Sequence, residues 1–256
     1  MIRHLGSAFL VQCRLARRQP DMLQVLVTTP LFTFVILAFT EAAHRPDLAA
    51  YGVVAPTLMA LWTFALSTAG NIITDDRMLG TLEGQLAAPS SLFVTVLGRM
   101  CAVLLIGLAV FAEAWLTAGL TFGRWLAVPH PGVLAACVLV TGVATAGTAS
   151  LLASLFVLTP SARTVQNTLT YPFYLLSGVL VPIGFLPDWL QPLARVVFLY
   201  WSADLLRDSL ATPAVLDVLP RLGVMLGLGA VGYAVGMALL HRVVQHARRA
   251  GTLSHS

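Results

Sequence analysis

The 256-residue sequence contains no lysine; all 15 of its basic residues are arginine. Chemistry that needs a lysine amine is thereby excluded from these residues, including the P-loop lysine that holds nucleotide phosphates. Charge of either sign is scarce. Charged residues make up 10% of the chain, against about 25% in soluble domains, which argues against both a water-soluble enzyme and a disordered chain. Cysteine is sparse too: Cys13, Cys101 and Cys137 are widely spaced, with no CxxC pair, which suits neither a disulfide framework nor a zinc site. His241 and His246 lie five apart rather than four, so they do not form a helical metal-ligand pair. No histidine lies in a central apolar run to activate Ser177. The net charge of +4 is dispersed, without the basic stripe that nucleic-acid binding needs.

What is abundant is apolar sequence, 58% of the chain. A membrane-crossing helix needs about 20 mostly apolar residues. Six runs qualify, near 22–40, 51–73, 97–120, 133–158, 165–185 and 222–240. The expected fold is therefore all-α and integral to the membrane, with one transmembrane domain over 21–247 and a flexible cytoplasmic tail at 248–256. Arginines set the orientation. With the N-terminus inside, ten lie on inner segments and five (Arg45, Arg124, Arg195, Arg207 and Arg221) on outer ones. Both termini are expected in the cytoplasm. Residues 1–20 place Ile2, Leu5, Phe9 and Cys13 on one helical face and Arg3, Ser7, Arg14 and Arg18 on another. That pattern predicts an amphipathic helix lying on the inner headgroup layer, ended by Pro20.

Two segments outside the spans carry information. The inner loop 74–91 concentrates Asp75, Asp76, Arg77 and Glu83 around Gly80–Thr81–Leu82–Glu83. A short helix from about Arg77 to Ala88, stopped by Pro89, suits a knob for a cytoplasmic partner. The outer segment 186–221 is too long for a tight helix connection and too apolar for a solvated loop. Pro182, Pro187 and Pro192 divide it into pieces too short to span. The expectation is a re-entrant pair of short helices near Asp188–Phe198 and Tyr200–Leu210, with Asp204 and Arg207 neighbours on one helix face. Glu113 lies within the third run. An intramembrane carboxylate is costly, so it is either a structural group near the outer interface or a group lining a pathway. Small residues in the fourth run (Gly142, Ala146, Gly147, Ser150) and the sixth (Gly223, Gly227, Gly229, Gly232, Gly236) suit close helix packing within the chain.

At these segments the chain resembles the permeases of ABC type-2 transporters. The inner-loop likeness rests on Gly80, Thr81, Leu82, Glu83, Leu86 and Ala88–Pro89. The C-terminal likeness rests on Leu176–Ser177–Gly178, Pro182, Leu186–Pro187, Trp189–Leu190–Gln191, Tyr200, Asp204 and Arg207. Among subgroups the daunorubicin-resistance and nodulation-factor exporters are the most similar in flavour. Ala88 stands where the family often has Ser or Thr. Gly84, inside the proposed inner helix, costs it up to about 1 kcal/mol relative to Ala.

The resemblance implies a permease that pairs with a second copy or a paralogue. Two separate ATPase subunits would carry ATP and Mg, and this chain would bind no cofactor and no metal itself. It implies an ATPase-coupling element at Asp76, Arg77, Gly80, Thr81, Leu82, Glu83, Leu86 and Pro89. It implies an outer gate at Pro182, Pro187, Trp189, Asp204 and Arg207. Because the family's second and fifth spans face the dimer axis, Trp62, Phe64, Asn71, Asn167, Tyr171 and Tyr174 become candidates for the substrate pathway. The expected function is ATP-driven efflux of a hydrophobic drug-like, antibiotic or lipid-like cargo across a bacterial inner membrane. A lipid-linked saccharide or a peptide is the competing cargo. An ion-coupled carrier without an ATPase is the competing class, although carriers need midplane ionisable groups or broken-helix ion sites and only Glu113 lies within a span.

Overall fold

The computed structural model describes residues 20–45, 48–78, 107, 109–157 and 162–250. Among these the secondary structure is entirely helical. The long elements are α1 (Pro20–Ala42), α2 (Ala49–Met78), α4 (Pro131–Val157) and α8 (Val218–Ala250). Between them lie α3 (Ala109–Phe122), α5 (Ala162–Leu176), the four-residue α6 (Gln191–Ala194) and α7 (Phe198–Leu210). Four helices hold stretches long and apolar enough to cross a membrane: Gln24–Ala42, Ala49–Ser67, Pro131–Leu155 and Val218–Leu239. α3 is a shorter apolar helix. Of the N-terminal helix expected over 1–20, residues 1–19 lie outside the described residues; of the coupling helix expected from Arg77 to Ala88, only Arg77 and Met78 are described, as the last residues of α2.

Many helix hydroxyls are satisfied within their own helix, as suits a lipid environment. Hydroxyls donate back to carbonyls four residues earlier: Thr29 to Val25 at 2.8 Å, Thr57 to Val53 at 2.7 Å, Thr145 to Thr141 at 2.7 Å and Thr170 to Gln166 at 2.6 Å. Pro20 opens α1 at a position where no amide partner is needed. Pro30, Pro56 and Pro172 sit inside helices.

α2 is the central helix. Of its apolar stretch 78% is buried, against 28% for α1 and 22% for α8, so the latter two leave most of their surface outside the bundle. Around α2 the main core gathers Leu58, Trp62 and Leu66 with Tyr174 from α5, Phe198, Leu199 and Leu206 from α7, and Cys137 and Leu152 from α4. Phe173 of α5 stacks on Trp62 at 4.8 Å, and Phe198 of α7 tilts against it at 5.8 Å. A second core joins Leu37 of α1 to Val53 of α2 and Ala114 and Ala118 of α3.

α4 and α8 make the most extensive helix pair, and small residues permit it. A Cβ on Gly147 would stand 2.0 Å from the Gly229 carbonyl oxygen, and one on Gly236 would stand 2.8 Å from the Leu151 backbone. Gly223 and Gly227, on the same helix, face open space. Spacing alone assigned all five α8 glycines to packing; three of them, Gly229, Gly232 and Gly236, make the contact.

The connections cluster at one end of the bundle. Arg124 pairs with Glu41 at 2.8 Å, linking the segment after α3 to the end of α1. His130, before α4, meets the Pro213 carbonyl at 3.0 Å, before α8. α5 stops at Leu176, short of the apolar run's end at Phe185, because Gly178 takes a positive φ of 67° and turns the chain.

Candidate functional site

Two features of this bundle are unlike plain lipid-embedded packing: the exposed face of α5 and the α6–α7 element beside it. α5 is strongly two-sided. Its inner side is tied to α2 by specific polar contacts. Tyr174 Oη donates to the Met59 carbonyl at 2.8 Å and lies 2.6 Å from Thr63 Oγ1; Gln166 Nε2 donates to the Leu66 carbonyl at 3.0 Å. The opposite side exposes Asn167, Thr168 and Tyr171, the last at 67%. This side mixes those polar groups with the exposed Pro172 and Leu175, unlike the apolar outer faces of α1 and α8.

The six pathway candidates thus separate. Trp62, Phe64 and Tyr174 are buried inside the chain. Asn167 and Tyr171 stand one turn apart on the exposed side of α5. Asn71 lies on the α2 backbone with its side chain outside the described residues, as do the side chains of Asp76 and Arg77. Gly80, Thr81, Leu82, Glu83, Leu86 and Pro89 are likewise outside them. Trp62 also carries a buried indole N–H without a hydrogen-bond partner among the described residues. Glu113, half-buried on α3, has a buried Oε2 that is likewise unpartnered there.

The α6–α7 element folds back along α2. Phe198, at the start of α7, lies against Trp62, thirteen residues into α2. Arg207, near the end of α7, lies 4.3 Å above the ring of Tyr51, in the first turn of α2. α7 therefore runs antiparallel to α2, from depth toward the connector end. α4 gives a second ruler. Thr141, ten residues into α4, donates to Ser202 Oγ at 3.1 Å. At 1.5 Å per residue both rulers put the start of α7 about 20 Å below the connector end.

Polar contacts fix the upper part of α7. Arg207 Nη1 donates to the Gly178 carbonyl at 3.1 Å, so one guanidinium holds the α5 turn and the Tyr51 face together. Asp204 reaches Arg221 of α8 at 3.4 Å, and Asp208 makes a shorter pair with the same guanidinium. The expected Asp204–Arg207 neighbours are thus each directed to another element. Pro182 precedes the 3-10 turn Ile183–Phe185. The Pro187 carbonyl accepts from Leu190 N–H at 2.9 Å, and Trp189 stands 71% exposed.

Sequence reasoning gave no role to Tyr51, Thr63, Gln166 or Arg221. Arg221 had a usable signal, a cation at the mouth of the last apolar run facing two carboxylates. Tyr51, Thr63 and Gln166 had none, because their partners are distant in sequence.

No curated protein matches this chain. The family model for the ABC-2 type transporter matches residues 7–211, most of the sequence and both resembling segments. The chain belongs to the ABC-2 type transporter family, as a membrane permease component of an ABC transporter, and membership implies an ABC ATPase partner.

Proposed function

We propose that this chain is one of two permease subunits of an ATP-driven exporter, moving an amphipathic, drug-like or lipid-like cargo out of the cytoplasm or inner leaflet. In this reading the four long helices together with α3 and α5 make six spans, and the arginine bias puts both termini on the inner side of a bacterial inner membrane. The observation that carries the reading is the exposed polar side of α5. The Asn167 amide and the Tyr171 hydroxyl cannot face lipid cheaply, so they border a pathway that a second permease copy or paralogue completes, beside Thr168, whose hydroxyl is held by the Thr164 carbonyl at 2.9 Å. Trp62, Phe64 and Tyr174 support that wall from behind. The α6–α7 pair is re-entrant and closes the pathway at the outer end. Pro182 and Pro187 set its turns, Trp189 lies at its rim, and Asp204 and Arg207 tie it to α8, α5 and α2.

Coupling would run through the inner loop. ATP and Mg on two ATPase subunits would draw those subunits together, displacing the segment around Asp76–Pro89 and the spans on either side of it. Cargo must bind one access state better than the other for work to be transmitted. Lipid-linked saccharides and peptides fit the same frame. The test is co-purification with an ABC ATPase, comparing wild type with Leu82→Asp and Glu83→Ala. Binding lost in the loop variants supports the reading. Binding indifferent to this loop, or no ATPase bound, moves the ion-coupled carrier to the front.

A further inference from the structure

The tip of the α6–α7 element holds an arginine in an unusual place. Arg195 caps α6 with helical dihedrals, the N–H groups of Val196 and Val197 bond back to Leu193 and Ala194, and Val197 is the extended residue that leads into α7. The Arg195 carbonyl is held by Trp201, whose Nε1 donates to it at 2.9 Å. The tip lies three residues before Phe198, hence beside the Trp62–Phe173–Phe198 stack. Both helix rulers above set that level about 20 Å below the connector end, while half of a hydrocarbon core is only about 15 Å. The turn is therefore near mid-bilayer. Yet Arg195 and Val196 are exposed there, Val196 at 67%.

The turn's backbone groups are held within the chain, but an exposed guanidinium at that depth cannot face lipid; such a charge is found facing a water-filled cavity or protein. Among the described residues no carboxylate forms an ion pair with Arg195, whereas Arg124 and Arg221 both have acidic partners. α6 packs on α5, so the tip adjoins the helix whose outer side exposes Asn167 and Tyr171.

We infer that Arg195 is an anion-recognition residue in the transport pathway, and that the cargo carries a carboxylate or phosphate group on an apolar body. This deepens the exporter reading and rests on it, since that reading makes the α5 face a pathway wall. The guanidinium supplies a fork of donors suited to either anion, and Tyr171 and Asn167 offer neutral hydrogen bonds alongside. An apolar body would meet Leu193 and Val196.

The test uses the full chain with its ATPase in phosphatidylcholine nanodiscs. The probes are a dansyl-labelled undecanoate and its methyl ester, which share a chain and differ by one charge; protein-free discs give the partition baseline. Wild type is expected to bind the acid about tenfold or more tighter than the ester, the scale of a charge-assisted hydrogen bond. Arg195→Gln should abolish the difference and Arg195→Lys should keep most of it. The side chain is exposed, so neither change should disturb folding, which retained ATPase association checks. Competition by phosphatidylglycerol in the disc would identify bilayer lipid as the anion's source; its absence, with acid binding kept, would identify a free amphiphile. Equal binding of acid and ester by wild type, or a preference that survives in Arg195→Gln, overturns the inference while leaving the ATPase result to judge the exporter reading separately.

Discussion

The α4–α8 contact gives a sharp test of the packing, because glycine appears on both its covered and its open sides. In Gly147→Ala the new methyl would lie 2.0 Å from the Gly229 oxygen, 2.6 Å from its carbonyl carbon and 2.9 Å from its Cα. All three are backbone atoms, so no side-chain rotation can relieve the clash, and the helices must move apart by more than about 1 Å, given that ordinary packing needs full van der Waals separation. Overpacking usually costs about 1–3 kcal/mol, and backbone opposition puts this case at the upper end. Gly229→Ala, with its Cβ 2.7 Å from the Ala144 Cα, should behave alike. By the scaling known for soluble domains of this size, the loss corresponds to about 5–10 °C in Tm. Gly223→Ala and Gly227→Ala meet nothing within 4 Å. They should leave Tm unchanged or raise it slightly, since alanine is favoured over glycine by up to about 1 kcal/mol within a helix. The assay is the heating midpoint for loss of the monodisperse chromatographic peak, for the four variants in one detergent. Equal shifts for Gly147→Ala and Gly223→Ala would refute the close approach of α4 and α8. A large loss confined to Gly227→Ala would mean that the open face is covered by another chain.

Three further predictions concern the upper end of α7. Gly178→Ala imposes a side chain at a φ of 67° and sets its Cβ 2.6 Å from Ile183 Cγ1; it should cost at least about 1–2 kcal/mol in the same heating assay and weaken the hold of Arg207 on the α5 turn. Arg221→Ala should cost about 1–2 kcal/mol, between the limits for exposed and buried pairs, because it leaves Asp204 and Asp208 facing each other without their shared cation. Asp204→Asn should cost less than Arg221→Ala, since Arg221 keeps its closer pair with Asp208; a larger loss for Asp204→Asn than for Arg221→Ala would reverse that ranking.

How much of this was legible in the sequence follows from the range of each interaction. Apolar content and run length are local, and they foretold a helical membrane chain; the paired motifs at Gly80–Pro89 and Leu176–Arg207 foretold the family. Which face of a helix is covered is not local. Gly223 and Gly227 have the same spacing as Gly232 and Gly236, yet only the second pair meets α4. Trp62 and Tyr171 read alike as aromatics in apolar runs, but one is the centre of the core and the other is exposed. Asp204 and Arg207 are neighbours by helical spacing, and the structure sends each to a different helix. Arg195 counted as one more outer charge, because depth depends on α7 folding back along α2, which no nearby residue announces.

The central claim is that the exposed side of α5 borders a pathway that ATP opens and closes. It is tested most directly by placing single cysteines at Asn167 and Tyr171, with Val231 on the exposed side of α8 as a control, in a chain whose Cys13, Cys101 and Cys137 have been replaced by alanine. Labelling by a membrane-impermeant thiol reagent would be timed in the ATPase-bound complex, with and without nucleotide trapped in the transition state. Trapping is expected to change the labelling rate at 167 and 171 and to leave 231 unreactive in both states. Equal rates at 167 and 171 in both states, or residues as unreactive as 231 throughout, would contradict it.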